Sequence, residues 1–392
     1  MGKKNIAYIN NEMLIWARSE TPFNTPEEVS QHSSHLDSSE LELWENGEAL
    51  PSVREAKELA KIYKVPFATF FLSEIPQKKI KEYTDRRTFL GTEYDELSYE
   101  LWSEIRRINS DREIILEYAT DTEREENRFT LFVESDDIKI IADSIRRYFN
   151  LPASFKNKSE YKNNSYNYFR HVIEDKGIIV AQISKVSLQE MKGLSIYKEV
   201  FPIIALNNKD YERAKTFSLF HEIAHIVRRS SSLCLIDDNE RNDKEERLCD
   251  KIATEVLMPD EVFSRIAEDI FLTVGIWDEK SIQKLADRFG VSIVAAFRRL
   301  YDLGIISKSE YYETYDALNE SFNKNLAKIE ANLKAKNAPY HFHVKYINAH
   351  GQTLPRTIIN AYGDGRITIG ETCKILNIKT KYLPDISASI MM

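Results

Sequence analysis

The chain has 392 residues, with 54 Lys and Arg against 62 Asp and Glu, a formal net charge of −8 and 42% hydrophobic residues. At about 100–200 residues per domain, this length predicts two to four domains. The negative balance excludes a bulk nucleic-acid coat but leaves room for a local basic face. Three cysteines, scattered at 234, 249 and 373, exclude a disulfide framework and suit a reducing cytosol, so a cytoplasmic location is expected. The first eleven residues lack an apolar signal core and no run approaches 18 apolar residues, so no membrane contact is expected.

Residues 1–75 read as five short helices. Thr25-Pro26-Glu27-Glu28 offers an N-cap, a first-turn proline and a capping glutamate, and Asp37-Ser38-Ser39-Glu40 and Ser52-Val53-Arg54-Glu55 repeat that logic. Asn46-Gly47 stops a helix over 38–46. This segment holds 7 Lys and Arg against 12 Asp and Glu, with Glu40, Glu42 and Glu45 on that one helix. Residues 76–135 read as a charged helical connector: Leu97 to Thr120 is a helix, and Asp121 to Asn127 is a solvated turn. Helices are expected over 137–150 and 163–175, packed under a strand at 177–183. Phe201-Pro202-Ile203-Ile204-Ala205-Leu206 reads as a second strand, ended by Asn207-Asn208, and could form an edge along which an extended substrate pairs.

Tyr211 onward reads as one long helix whose Phe217, Phe220, Ala224 and Val227 make an apolar stripe. It carries Phe220-His221-Glu222-Ile223-Ala224-His225. Residues four apart on a helix lie on one face, roughly 5–6 Å apart, so His221 and His225 can pinch one zinc ion with Glu222 beside it. Catalytic zinc takes three protein ligands and leaves a fourth position to water, and a neighbouring carboxylate can serve as base. A third histidine six residues past His225 is absent, since Ser231 stands there, and Arg228 occupies the place of the glycine turn that such sites need. The third ligand is then expected from a following helix. Of the adjacent Glu245 and Glu246 only one can face the ion, because they point about 100° apart. Glu246 shares its face with Asp250 and Ala253, which suits a polar support and close packing. Cys249 is the competing donor, although a lone helical cysteine is more often a small core residue. The bland alternative leaves both histidines on a solvated or core face.

Beyond this helix pair, Ser281 to Leu300 has the apolar spacing and central Gly290 turn of a helix-turn-helix-like unit, with Arg298 and Arg299 able to meet phosphate, although a solvated helix face is the commoner explanation for them. Ser307 to Ala338 reads as a polar helical spacer. Residues 340–392 hold 6 Lys and Arg against 3 Asp and Glu, among them Lys379 and Lys381, so DNA is better sought in these C-terminal basic modules than at the N-terminus. His341-Phe342-His343 reads as ordinary surface residues.

Taken together, Lys192-Gly193-Leu194-Ser195, Phe201 through Asn207, Arg213, the helix of His221 and His225, and Glu246 through Asp250 to Ala253-Thr254-Glu255-Val256-Leu257-Met258-Pro259 resemble the ImmA/IrrE family of bacterial metallopeptidases. The resemblance implies zinc at His221, His225 and Glu246, a base at Glu222, and a gluzincin-like endopeptidase whose protein substrate is a helix-turn-helix repressor or an antitoxin, cleaved to control a stress, mobile-element or phage-related response. It also implies a repressor-like helix-turn-helix domain at 1–75 and a linker match at Asp85-Arg86-Arg87-Thr88. The expected fold is multidomain and mainly α, with a mixed α/β (α+β), zincin-like metallopeptidase core and helix-turn-helix-like modules. Its expected divisions are 1–75, a connector 76–135, the peptidase 136–270, a helical domain 271–310 and a small C-terminal domain 335–392. The alternatives are a DNA-binding regulator whose peptidase domain only senses, and a toxin-antitoxin or phage-defence component triggered by a partner.

Overall fold

The computed structural model describes residues 5–76, 97–162, 164–229, 232–234, 243–316, 318, 320 and 341–390. The Asp85-Arg86-Arg87-Thr88 linker match and residues 321–338 of the expected spacer lie outside the described residues. The chain divides into two compact units, Met1–Arg107 and Ile108–Met392.

In the first unit, α1 (Asn11–Ser19), α2 (Pro26–Ser30), α3 (Ser38–Glu45), α4 (Val53–Ile62) and a 3-10 turn at Phe67–Phe71 surround Leu14, Val29, Leu41, Trp44, Leu59 and Phe70. The caps work as their residue types require. Asp37 accepts from the backbone of Ser39 and Glu40, and Ser52 and Glu55 complete a reciprocal capping box. Arg18 binds both carboxylate oxygens of Glu45 at 2.8 Å, so one of the few cations of this segment is spent internally.

The second unit is mainly helical with one small mixed sheet. Its strands β1 (Ile179–Ile183), β2 (Gly193–Ile196), β3 (Ile203–Asn207) and β4 (Ser232–Cys234) lie in the order β1-β3-β2-β4. β1 and β3 run parallel, Ile179 opposite Ile203, and every residue of both is buried, which is why they read as continuous apolar runs. β3 is antiparallel to β2 on its other side, so it is an internal strand. The expectation that it offers an edge to a substrate is therefore corrected: both of its hydrogen-bonding sides are taken, and the edges among the described strands are β1 and β4.

Helices α7 (Ile138–Tyr148), α8 (Ser165–Glu174), α9 (Glu212–Val227), α10 (Asp243–Leu257), α11 (Asp260–Val274), α12 (Glu279–Phe289) and α13 (Ile293–Asp302) share one core with the sheet, including Phe220, Ile223, Val256, Phe263, Leu285 and Phe297. α9 is buried from Leu219 through Val227, which makes it the central rod of the unit. Arg213 near its start bonds Val291 O at 2.6 Å and Asp287 Oδ1 at 2.5 Å, tying α12 and α13 to the same helix. The turn at Gly290 lies in the left-handed region at φ 68°. The four helices within 342–390 reach the sheet through Arg170, which bonds Val180 O, Ile347 O and Asn348 Oδ1, and through Glu174, which accepts from the backbone of Gln352.

Two local expectations change. Asp121 to Asn127 contains a helix, α6 (Asp121–Glu126), rather than a turn, because Thr120 and Glu123 form a capping box whose two hydrogen bonds outweigh the lack of apolar contacts. Arg299 is not a phosphate contact. It is only 9% exposed and is bound by Glu255, by Asp260 at 2.5 Å and by Met258 O at 2.9 Å. Arg298 remains at the surface, paired with Asp302 at 2.8 Å.

Candidate metal centre

His221 and His225 lie on α9 and Glu246 on α10, the two helices packed side by side. His221 Nε2 stands 3.2 Å from His225 Nε2 and 3.0 Å from Glu246 Oε2, and His225 Nε2 stands 3.3 Å from Glu246 Oε1. Zinc with bonds of about 2.0–2.1 Å to nitrogen in a tetrahedral set spaces neighbouring donor atoms by about 3.3 Å. The donor triangle thus has the size that one such ion requires, and two imidazoles with one carboxylate are donors that zinc accepts.

Electrostatics bind the cluster together when no ion is present. Burial opposes charge on His221, but hydrogen bonds to Asp250 and Glu246 outweigh it and push its pKa up to about 10. Burial likewise opposes the charge of Glu246, yet hydrogen bonds from His221 and His225 hold its carboxyl well below the usual carboxylate range. His221 donates its Nδ1–H to Asp250 Oδ1 at 2.8 Å. That bond orients the ring so that Nε2 faces Glu246 and His225. Replacing Asp250 by Ala should accordingly lower zinc affinity about 10–100-fold, measured by competition with a chromophoric chelator. An unchanged affinity would show the brace to be idle.

Neighbouring donors also matter, because His225, Glu245 and Cys249 form a second possible group within reach of one another. Two facts argue against it. Both carboxylate oxygens of Glu245 are taken by Arg228, at 2.6 and 3.1 Å. The thiol of Cys249 is pushed far above its usual range, first by burial and then by the charges of Glu245, Glu246 and Glu222, so a thiolate is disfavoured there. Arg228, which breaks the glycine-turn pattern in the sequence, is the residue that disposes of Glu245.

Glu222 follows His221 by one residue, is 1% exposed, acts by its charge on His221, and has its carboxylate against β2. Its neighbourhood was not legible in the sequence. Gly193 was visible only as part of a family-like string, yet its Cα lies against the Glu222 carboxylate. A glycine opening a strand of otherwise β-forming residues is the one signal that could have pointed to a close approach. Arg112 was also missed: it grips the carbonyls of Val200 and Phe201 at 2.8 and 3.0 Å just ahead of β3. A cavity of about 1000 Å³ opens beside the centre, with Phe217, Asp250, Thr254, Glu255 and Arg299 in its wall. It reaches the brace of His221.

A sequence comparison matches this part of the chain. Residues 174–301, about a third of the length, match the family model of the IrrE N-terminal-like domain, Peptidase_M78, which spans β1 through most of α13. No curated protein matches the chain. Among the described residues no helix is long and apolar enough to cross a membrane. Residues 174–301 are thus similar to the IrrE N-terminal-like domain of the ImmA/IrrE family of metallopeptidases.

Proposed function

We propose that the protein is a zinc-dependent endopeptidase of zincin-like, gluzincin type, in which His221, His225 and Glu246 hold the metal and Glu222 is the general base. The observation that carries this reading is the donor triangle of 3.0, 3.2 and 3.3 Å, formed by residues from two helices and braced by Asp250. When bound, zinc would supply Lewis-acid polarisation of water and of a carbonyl oxygen. The protein's own part is then proton handling and positioning. Glu222 takes the proton of the attacking water and passes it to the leaving amine as the C–N bond breaks. The buried position of the base keeps bulk water from competing for that proton.

The substrate we propose is a regulatory protein, a helix-turn-helix repressor or an antitoxin, whose cleavage releases a stress or mobile-element response in the cytoplasm. The similarity of residues 174–301 to the family and the succession of short helices in residues 1–75 support it. Mass spectrometry of cellular proteins after expression of the wild type beside Glu222→Gln tests it. New protein fragments should appear only with the wild type. If the two proteomes are identical under every condition, including stress, the regulator that senses without turnover becomes the better reading.

The first unit is better suited to docking a protein than to reading DNA. Residues 19–53, which contain α2 and α3, include no Lys or Arg, and Arg18 is bound to Glu45. Each phosphate that a protein neutralises contributes about −0.9 to the slope of log affinity against log salt, so a surface without cations gains little from duplex DNA. A fragment 1–75 should show no specific DNA affinity at physiological salt in a gel-shift series. DNA binding by the full chain, if it occurs, should depend on Arg298, Lys379 or Lys381, and charge reversal at these positions should abolish it. Tight, sequence-specific binding by 1–75 alone would overturn the electrostatic argument.

A further inference from the structure

The carboxylate of the base lies against the backbone of β2 at Gly193. A Cβ placed on Gly193 would stand 2.6 Å from Glu222 Oε1, 3.3 Å from its carboxyl carbon and 3.1 Å from Leu206 Cδ2, and the first of these is a separation that real Cβ atoms essentially never show. Backbone conformation does not explain the glycine, because Gly193 is a strand residue outside the set with positive φ. Glycine in a strand is otherwise a liability, since it gives up packing and loses more chain entropy on folding than other residues. What the position uses is the missing side chain.

The strand is also unable to retreat. Gly193 pairs with Leu206 of β3 on one side and with Cys234 of β4 on the other. The loop leading into it is staked by the buried Asn207, whose Nδ2 lies 2.9, 3.1 and 3.3 Å from the carbonyl oxygens of Met191, Ser187 and Val186, while its backbone N–H bonds Lys192 O at 2.9 Å. Any group added at Gly193 therefore meets a fixed strand below it and a flexible carboxylate above it. The carboxylate is the part that moves.

We infer that Gly193 is a positioning residue for the general base: its bare Cα is the seat of the Glu222 carboxylate, and a larger residue there displaces the base while leaving the donor triangle intact. This rests on the assignment of Glu222 as the base. A proton acceptor must stay within hydrogen-bond reach of the water it serves, and a misplacement of about 1 Å can cost about 10²-fold in rate.

Two cycles on the full-length protein test the inference. The first needs no activity. Gly193→Ala should lower the melting temperature of the metal-free protein by about 2–4 °C, and this loss should shrink to less than half in a Glu222→Ala background, where the carboxylate that meets the methyl group is gone and only the approach to Leu206 Cδ2 remains. Equal losses in both backgrounds would refute the seat. The second cycle uses a fluorogenic peptide library with zinc-loaded protein. Gly193→Ala should keep the wild-type zinc content and a KM within about 2-fold, lose about 100-fold in kcat, and add no further loss to Glu222→Gln. Wild-type kcat in Gly193→Ala, or an additive loss on top of Glu222→Gln, sinks the positioning role. A wild type that cleaves nothing, or a Glu222→Gln variant that cleaves normally, instead removes the base assignment itself, and the melting cycle still decides whether the contact exists.

Discussion

Glu222→Gln should retain its zinc and lose about 10²–10⁴-fold in cleavage rate, the range typical of general-base removal. The substitution keeps the shape of the side chain in a site where only 1% of it is exposed, so neither the fold nor the donor triangle has reason to move. What changes is the ability to accept a proton. Metal content by elemental analysis and kcat by single-turnover cleavage separate the two effects. Normal cleavage by this variant would mean that the proton of the attacking water goes elsewhere, and the assignment of Glu222 would fall. Loss of zinc along with activity would mean that Glu222 belongs to the metal set.

Much of this site is legible in the sequence because its defining distances are local. Four residues along a helix decide that His221 and His225 face the same way, and the same periodicity places Asp250 one turn from Glu246, where it braces His221 at 2.8 Å. Helix starts were readable for the same reason, as Asp37 and Ser52 illustrate. Features decided by the order of strands were not. Nothing within Phe201 to Leu206 reveals that both sides of β3 are already paired, nor that a strand beginning at Gly193 lies directly under Glu222. Arg298 and Arg299 make the same point on a helix: adjacent in sequence and alike in charge, one is solvated beside Asp302 and the other is buried between Glu255 and Asp260, because α10 and the start of α11 pack against only one side of α13. At Asp121 to Asn127 the low apolar content suggests a turn, whereas the Thr120 and Glu123 capping box, also present in the sequence, starts a helix there.

His221→Ala and Glu246→Ala should each lose most of the bound zinc, whereas Cys249→Ser should keep about one ion per molecule. The contrast follows from which donors are free. Glu246 turns its oxygens toward both imidazoles at 3.0 and 3.3 Å, while Glu245 is committed to Arg228 and the Cys249 thiol is held protonated by burial. Zinc uptake must also displace the proton that Asp250 and Glu246 stabilise on His221, whose pKa is raised to about 10 in the metal-free protein. The sign is therefore fixed: below that value the ion competes with one proton, and zinc affinity rises with pH, by about 100-fold between pH 6 and pH 8 if a single proton is released. Competition with a chelator of known affinity at the two pH values, together with calorimetry in buffers of different ionisation enthalpy, measures both the slope and the proton count. Full zinc occupancy in Glu246→Ala would move the third ligand to Glu245 or Cys249. An affinity that is flat with pH would show that His221 is neutral before the metal arrives, and that the hydrogen bond from its Nδ1 orients the ring without holding an extra proton.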